Sequence, residues 1–207
     1  MNLIMILIFV LISFLIGGIP FGYLYVKFRY KKDIRTMGSG NIGSTNVYRN
    51  FGKRDGAIVF IFDFLKGFLI VLISRFYYDI SISMFFGIAA ILGHVFSIYL
   101  KFKGGKGVAT TLGVFIAIAP FISFLSIIVW LIITKFTKYV SLASMIAIGS
   151  FPIFIFISQY LGSNRLLNEY NTTVFLTSAV IFLLVLFSHR TNIQRLIKGI
   201  EHKIGGK

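Results

Sequence analysis

The sequence predicts an all-α integral membrane protein, a compact bundle of seven transmembrane helices, some of them short or re-entrant. Three observations carry that reading. Apolar runs of membrane length recur along the 207 residues, giving a mean hydropathy of +0.90. Charged residues make up only 13% of the chain, against roughly 25% in a soluble domain. Lysine and arginine gather in alternate connecting segments, as the positive-inside rule asks of cytoplasmic loops.

The charge balance has the same origin. Lys+Arg number 21 against 6 Asp+Glu, for a net charge of +15. In a soluble protein that excess points to nucleic acid. In a membrane protein it follows from topology plus an anionic substrate, and no nucleic-acid partner is expected. The chain has no cysteine, which rules out disulfides, a thiol nucleophile and a zinc–thiolate site. The N-terminal run has no preceding basic residues and is too long for a cleavable signal, so it reads as a span.

Apolar runs fall at about 3–26, 57–74, 82–100, 107–134, 140–160 and 172–188. Most match the roughly 20 helical residues that cross a 30 Å hydrocarbon core. The parity of six runs conflicts with the basic segments, because an uninterrupted 107–134 span would put the basic tail outside. Pro120 sits at the midpoint of that run and cannot continue an uninterrupted helix. Splitting there gives seven segments, with the N-terminus outside and the C-terminus cytoplasmic. Of the 21 Lys and Arg, only Arg75 and Arg165 then lie outside, with Lys66 inside a span. Halves of 13 or 14 residues would reach about 20 Å, so they form either two short spans or a re-entrant pair. No linker or repeat divides the chain, and residues 1–207 read as one polytopic domain. Near the inner end of the first span, Gly17-Gly18-Ile19-Pro20 marks a kink with close helix packing.

Between the first two runs lies Thr36–Gly56, TMGSGNIGSTNVYRNFGKRDG. Gly38, Gly40 and Gly43 let the backbone approach a ligand closely. Ser39, Asn41, Ser44, Thr45 and Asn46 add short hydrogen-bonding side chains, and Arg49, Lys53 and Arg54 add positive charge. This is the chemistry of a phosphate site; a flexible polar connector is the plain alternative. Residues 38–43 also fit G-x-G-x-x-G, but that pattern has meaning only between the strand and helix of a βαβ unit. No Walker A sequence follows either.

A second cluster is His94–Thr111, HVFSIYLKFKGGKGVATT. Gly104, Gly105 and Gly107 surround Lys106, with Lys101 and Lys103 upstream. A helix is expected to start at about Gly107, where free N–H groups and the helix dipole favour an anion. The alternative is a basic turn that only sets topology. A third cluster, His189, Arg190, Thr191, Asn192 and Arg195, lies where the last span leaves the membrane. His189 and Asn192 are three apart and share a face if the helix continues. Ser141, at the inner start of the sixth span, would ordinarily be a helix N-cap. Asp63, Lys66 and His94 fall within spans. They read first as an i,i+3 ion pair bracing the loop and a structural histidine, with a proton relay as the alternative. All three clusters face the cytoplasm at one depth.

The motifs G-S-G-N-I-G-S-T-N-V-Y-R, G-H-x₉-F-K-G-G-K-G-V-A-T and H-R-T-N-I-x-R-L resemble those of the bacterial acyl-phosphate:glycerol-3-phosphate acyltransferases, the PlsY family. The likeness extends over essentially the whole chain, including IPFGY and DFLKG. Ser44, where the family usually has alanine, is a small-for-small departure. The resemblance implies a multi-pass enzyme of the bacterial inner membrane with its site facing the cytoplasm. Such an enzyme transfers a fatty acyl group from acyl phosphate to the sn-1 hydroxyl of glycerol 3-phosphate, giving lysophosphatidate and inorganic phosphate, the first step of phospholipid biosynthesis.

By that resemblance Ser39, Arg49 and Lys106 hold phosphate, together with the glycines around Lys106, and Ser141, His189 and Asn192 position glycerol 3-phosphate. His189, Asn192, Lys106 and Arg49 are the expected catalytic residues. Gly40, Asn41, Gly43, Thr45, Asn46, Lys103, Gly104, Gly105 and Gly107 complete the expected binding set. No metal or cofactor is expected, and a monomer in membrane lipid would suffice. Acyl phosphate is a mixed anhydride with a good leaving group, so direct attack needs no acyl-enzyme, only charge and N–H donors for the oxyanion. The proton acceptor is left open among His189, Asn192 and a substrate phosphate oxygen. The H-x₄-D acyltransferase pair is excluded, because Tyr99, Gln194 and Lys207 stand five residues after the three histidines. A membrane transporter of organic phosphates is the alternative function; it would need polar residues through the full membrane depth.

Overall fold

The computed structural model describes residues 3–160 and 172–205; Arg165 and Lys207, which entered the topology argument, lie outside the described residues. All regular structure among the described residues is helical, as expected. Helix α1 (Leu3–Gly18) breaks at Ile19-Pro20 into α2 (Phe21–Tyr30). A loop with a short 3₁₀ turn (Ile34–Thr36) leads to α3 (Ser44–Phe51) and then α4 (Lys53–Ser74). Helix α5 (Ile80–Val95) is followed by a second 3₁₀ turn, Ile98–Leu100. Then come α6 (Val108–Ile118), α7 (Pro120–Thr137), α8 (Val140–Tyr160), α9 (Thr172–Ser188) and α10 (Arg190–Ile197).

Proline placement accounts for two of the breaks. Pro20 is the N-cap of α2 and Pro120 is the first residue of α7, the position where a missing N–H costs nothing. The expected split of 107–134 therefore exists, but it is uneven. Helix α6 has 11 residues, about 16 Å, whereas α7 runs on to Thr137 and has 18. Among the described residues, five segments are long and apolar enough to cross a membrane: Leu3–Tyr30, Lys53–Ser74, Ile80–Leu100, Pro120–Thr137 and Val140–Tyr160. Helices α9 and α10, bent by 60° at His189, make a sixth as a pair, and α6 is a shorter apolar helix.

Small residues bring the helices together. A Cβ on Gly93 would lie 2.0 Å from Phe14 O, where α5 meets α1; one on Gly113 would lie 2.1 Å from Phe64 O, where α6 meets α4. Such approaches are available only to glycine, and they suit helix packing in lipid, where apolar burial gives no drive. Around these contacts Met84, Ile91, Val114, Phe115, Ile148, Phe151 and Ile181 form the main core, with the Phe115 and Phe151 rings stacked at 4.1 Å. A smaller core of Val26, Ile34, Ile42, Val47, Val59 and Leu100 supports the glycine-rich loop. Outward positions on α1 and α7, such as Leu7, Leu11, Phe121 and Phe124, are exposed and apolar, a surface made for lipid rather than water.

The Asp63–Lys66 ion pair is present, with Nζ and Oδ1 2.9 Å apart and both side chains buried. It was expected as an i,i+3 pair and stands as one.

Candidate active site

The loop before α3 is folded by its own side chains. Asn46 is buried, and its Nδ2 donates to Ile34 O, Met37 O and Asn41 O at 3.3, 3.0 and 2.8 Å. Its Oδ1 accepts from the Ser39 N–H at 3.0 Å and from Asn50 Nδ2 at 3.2 Å. Asn41 Oδ1 accepts from the Gly43 N–H at 2.8 Å. Gly38 and Gly40 adopt φ of 53° and 73°, the left-handed region in which glycine is favoured. Asn46, expected to bind substrate, lies on the cavity wall and at the same time holds the loop together through its own bonds. Beside it the loop presents Ser39, Asn41, Gly43, Ser44, Thr45 and, one turn into α3, Arg49.

The lysine turn is held from behind. The Gly104 and Gly105 N–H groups donate to Val95 O and His94 O, at 3.1 and 3.0 Å. Two glycines expected to bind phosphate thus give their amides to the end of α5. Lys103 is exposed and does not line the cavity; Lys101 and Phe102 before it take positive φ. Lys106 and Gly107 do line the cavity, and Gly107 caps α6 as expected, leaving the first-turn N–H groups of that helix unpaired within it. Ser188 Oγ donates to Lys106 O at 3.0 Å, joining the turn to the end of α9.

At the α9–α10 bend the His189 ring is 1% exposed. Its Nδ1 lies 2.8 Å from Val185 O. A carbonyl oxygen only accepts, so Nδ1 carries the proton and Nε2 is left with a lone pair. Burial lowers the Lys106 ammonium to about 8, with Glu201 opposing the shift and Arg49 and Arg195 adding to it. Burial also lowers Arg49 from its usual value, though a guanidinium remains charged at neutral pH.

Glu201 was not anticipated from the sequence. The chain turns back after α10, fixed by Ile204 N–H donating to Lys138 O at 2.8 Å. That brings the Glu201 carboxylate, 7% exposed, against the site. Its Oε1 accepts from Ser141 Oγ at 2.9 Å and Asn192 Nδ2 at 2.7 Å. Ser141 is therefore no N-cap; its hydroxyl points at the tail. Arg49 donates to His202 O at 2.9 Å. Asn192 Oδ1, Glu201 Oε2 and Arg49 Nε are buried without a partner among the described residues. A lone acid inside the basic tail Lys198–Lys203 is the one sequence signal that marks Glu201.

These groups open on one cavity of about 790 Å³. Ser39, Asn41, Gly43, Thr45, Asn46, Arg49, Lys106, Gly107, Ser141, His189, Asn192 and Glu201 belong to its polar part; Gly40, Lys103, Gly104 and Gly105 are not on its wall. The apolar part runs along Phe60, Phe64, Leu112, Ile116, Trp130, Leu131 and Phe151. Cationic donors at one end and a hydrocarbon-lined groove at the other suit an amphiphile with an anionic head.

The family model for glycerol-3-phosphate acyltransferase matches residues 7–199. The chain belongs to the glycerol-3-phosphate acyltransferase family. The acyltransferase of Endomicrobium trichonymphae is 44% identical over 96% of this chain and 95% of its own. That of Aquifex aeolicus (strain VF5) is 41% identical over 95% and 98%. Two crystal structures of PlsY, an integral membrane glycerol 3-phosphate acyltransferase, cover 97% of this chain. The glycerol 3-phosphate form aligns with TM-score 0.88 and 42% identity over 96% of that chain. The lysophosphatidic acid form aligns with TM-score 0.85 and 40% identity over 95%. The acyltransferase described here is thus a helical integral membrane enzyme of phospholipid biosynthesis.

Proposed function

We propose that the acyltransferase takes its acyl group from acyl phosphate and delivers it to the sn-1 hydroxyl of glycerol 3-phosphate, acting as a single domain at the cytoplasmic face of the bacterial inner membrane. The observation that carries this reading is the one cavity shared by a cationic end and an apolar groove. Both substrates bring a phosphate, and Arg49, Lys106, Ser39 and the first turn of α6 supply charge and N–H donors for such anions. The groove takes the hydrocarbon chain. Placing the site on the cytoplasmic side, with seven segments and the N-terminus outside, follows from the basic residues clustered at its end of the bundle.

The glycerol hydroxyl oxygen attacks the acyl carbon, the bond from that carbon to the phosphate oxygen breaks, and inorganic phosphate leaves. Lys106 and Arg49 stabilise the negative charge as it moves from carbonyl oxygen to leaving group. His189, with its Nε2 lone pair free, accepts a hydrogen bond from the attacking hydroxyl and orients it. The departing phosphate, whose second pKa is about 6 in its esters, takes up the proton. Asn192 Oδ1 provides a second acceptor for orienting glycerol 3-phosphate, and Ser141 a hydroxyl.

The direct test is phosphate release by the purified protein in detergent or lipid. Release must require both acyl phosphate and glycerol 3-phosphate; turnover with acyl-CoA alone would refute the donor.

A further inference from the structure

Three buried ionisable groups take no part in that chemistry. Asp63 and Lys66 lie one turn apart on α4, and His94 lies near the end of α5; they are 2%, 5% and 4% exposed. Asp63 Oδ1 is 2.9 Å from Lys66 Nζ and 3.5 Å from His94 Nδ1. A charge inside a membrane helix costs about 2.5–3.5 kcal/mol on insertion scales, so three such groups in contact call for a purpose beyond filling space.

The other contacts of His94 and Asp63 lead to the lysine turn and the helix after it. The outer side of the His94 ring is the floor on which Gly105 rests: a Cβ there would lie 2.2 Å from Nε2 and 2.9 Å from Cε1. The His94 carbonyl receives the Gly105 N–H. Thr110 Oγ1, in the first turn of α6, donates to Asp63 O at 3.0 Å. The turn thus rests on the His94 ring and backbone, and the start of the helix it feeds is tied to the Asp63 backbone. Lys66 fixes the Asp63–His94 contact to the rest of the bundle by donating to Ile19 O at 3.0 Å, a carbonyl at the α1–α2 break. Ser97 Oγ holds the neighbouring Gly18 O at 2.6 Å.

We infer that Asp63 and His94, anchored by Lys66, are positioning residues that set the height of the Gly105–Lys106–Gly107 turn and so place the Lys106 ammonium and the α6 N–H groups for a substrate phosphate. This rests on the proposed acyl-phosphate chemistry only for its kinetic readout. Asp63 and His94 also line the cavity, and the Nε2 edge of the histidine, packed against Gly105, supports the turn.

The test compares His94→Leu, His94→Asn and Gly105→Ala with the unaltered enzyme. Displacing reacting groups by about 1 Å costs on the order of a hundredfold. His94→Leu is therefore expected to raise the KM for one phosphate substrate at least about tenfold, with the KM for the other and the melting temperature little changed. His94→Asn keeps a polar side chain beside Asp63 and under Gly105, and should recover part of the loss. Gly105→Ala pushes the turn off the ring from above and should reproduce the selective KM rise; it decides the matter if His94→Leu does not fold. Calorimetric titration with inorganic phosphate gives a readout independent of the donor. Weaker phosphate binding in the variants supports the positioning role even if acyl phosphate proves not to be the donor. Unchanged phosphate binding and KM overturn it, as does a fall in kcat alone, which would mark a proton relay. A uniform loss with lowered melting temperature also overturns it, leaving a structural role only.

Discussion

Asn192 and Glu201 are joined by a hydrogen bond of 2.7 Å, the amide Nδ2 donating to Oε1, so the residue expected to orient substrate is itself oriented by the tail. Ser141 shares the same carboxylate oxygen. Glu201→Ala is expected to leave two buried donors without an acceptor, at about 1–3 kcal/mol each. The melting temperature in detergent should fall by several degrees. Glu201→Gln, which keeps an acceptor but removes the charge, should lose less stability and still raise the KM for glycerol 3-phosphate. Equal melting temperatures for Ala and wild type would contradict the bonding described.

Arg49→Ala and Lys106→Ala each remove a charged donor from the cationic end. Charge-assisted hydrogen bonds contribute about 1.5–3 kcal/mol, so kcat/KM for the phosphate substrates should drop by about tenfold to about a hundredfold per substitution. Steady-state kinetics with both substrates varied is the measurement. Near-normal constants in both variants would remove these residues from the site.

Lys106 gives the enzyme an alkaline limb. Its pKa of about 8 means that the ammonium is lost as pH rises through 8, and kcat/KM should fall there. Lys106→Arg, if active, should keep its rate to higher pH. The stability effect has the opposite sign. Between about 8 and the ordinary 10.5 the unfolded chain binds the proton and the folded chain does not, so stability rises with pH across that window. A pH–rate profile with no break near 8 would argue against a charged Lys106 in the rate-determining step.

Ala147 is buried on α8 where it lines the groove. Ala147→Leu should obstruct long acyl chains, lowering the ratio of kcat/KM for long over short acyl phosphates, and cost about 1–3 kcal/mol of stability from overpacking. The KM for glycerol 3-phosphate should not move. An unchanged chain-length ratio would relocate the acyl chain.

Much of this was legible in the sequence because the signals were strong physical constraints. Pro120 cannot sit mid-helix, and the break lies there. Hydropathy and glycine spacing located the loop, the lysine turn and the His189–Asn192 exit, and the cavity unites them. Individual roles were harder to read. Asn41 and Asn46 have the donors and acceptors of a phosphate ligand, and the Asn46 amide also bonds backbone carbonyls within the folded loop. Lys103 has the right charge and faces outward because two left-handed residues precede it. Glu201 is a single acid with no periodic partner, and only the reversal of the tail brings it to Ser141.

The lone tryptophan of the chain has its indole N–H on Ser144 Oγ at 3.2 Å and its ring on the cavity wall. Indole emission reports the polarity around it, so hydrocarbon arriving beside Trp130 must shift the fluorescence. The acyltransferase therefore carries a built-in optical gauge of groove filling that needs no label.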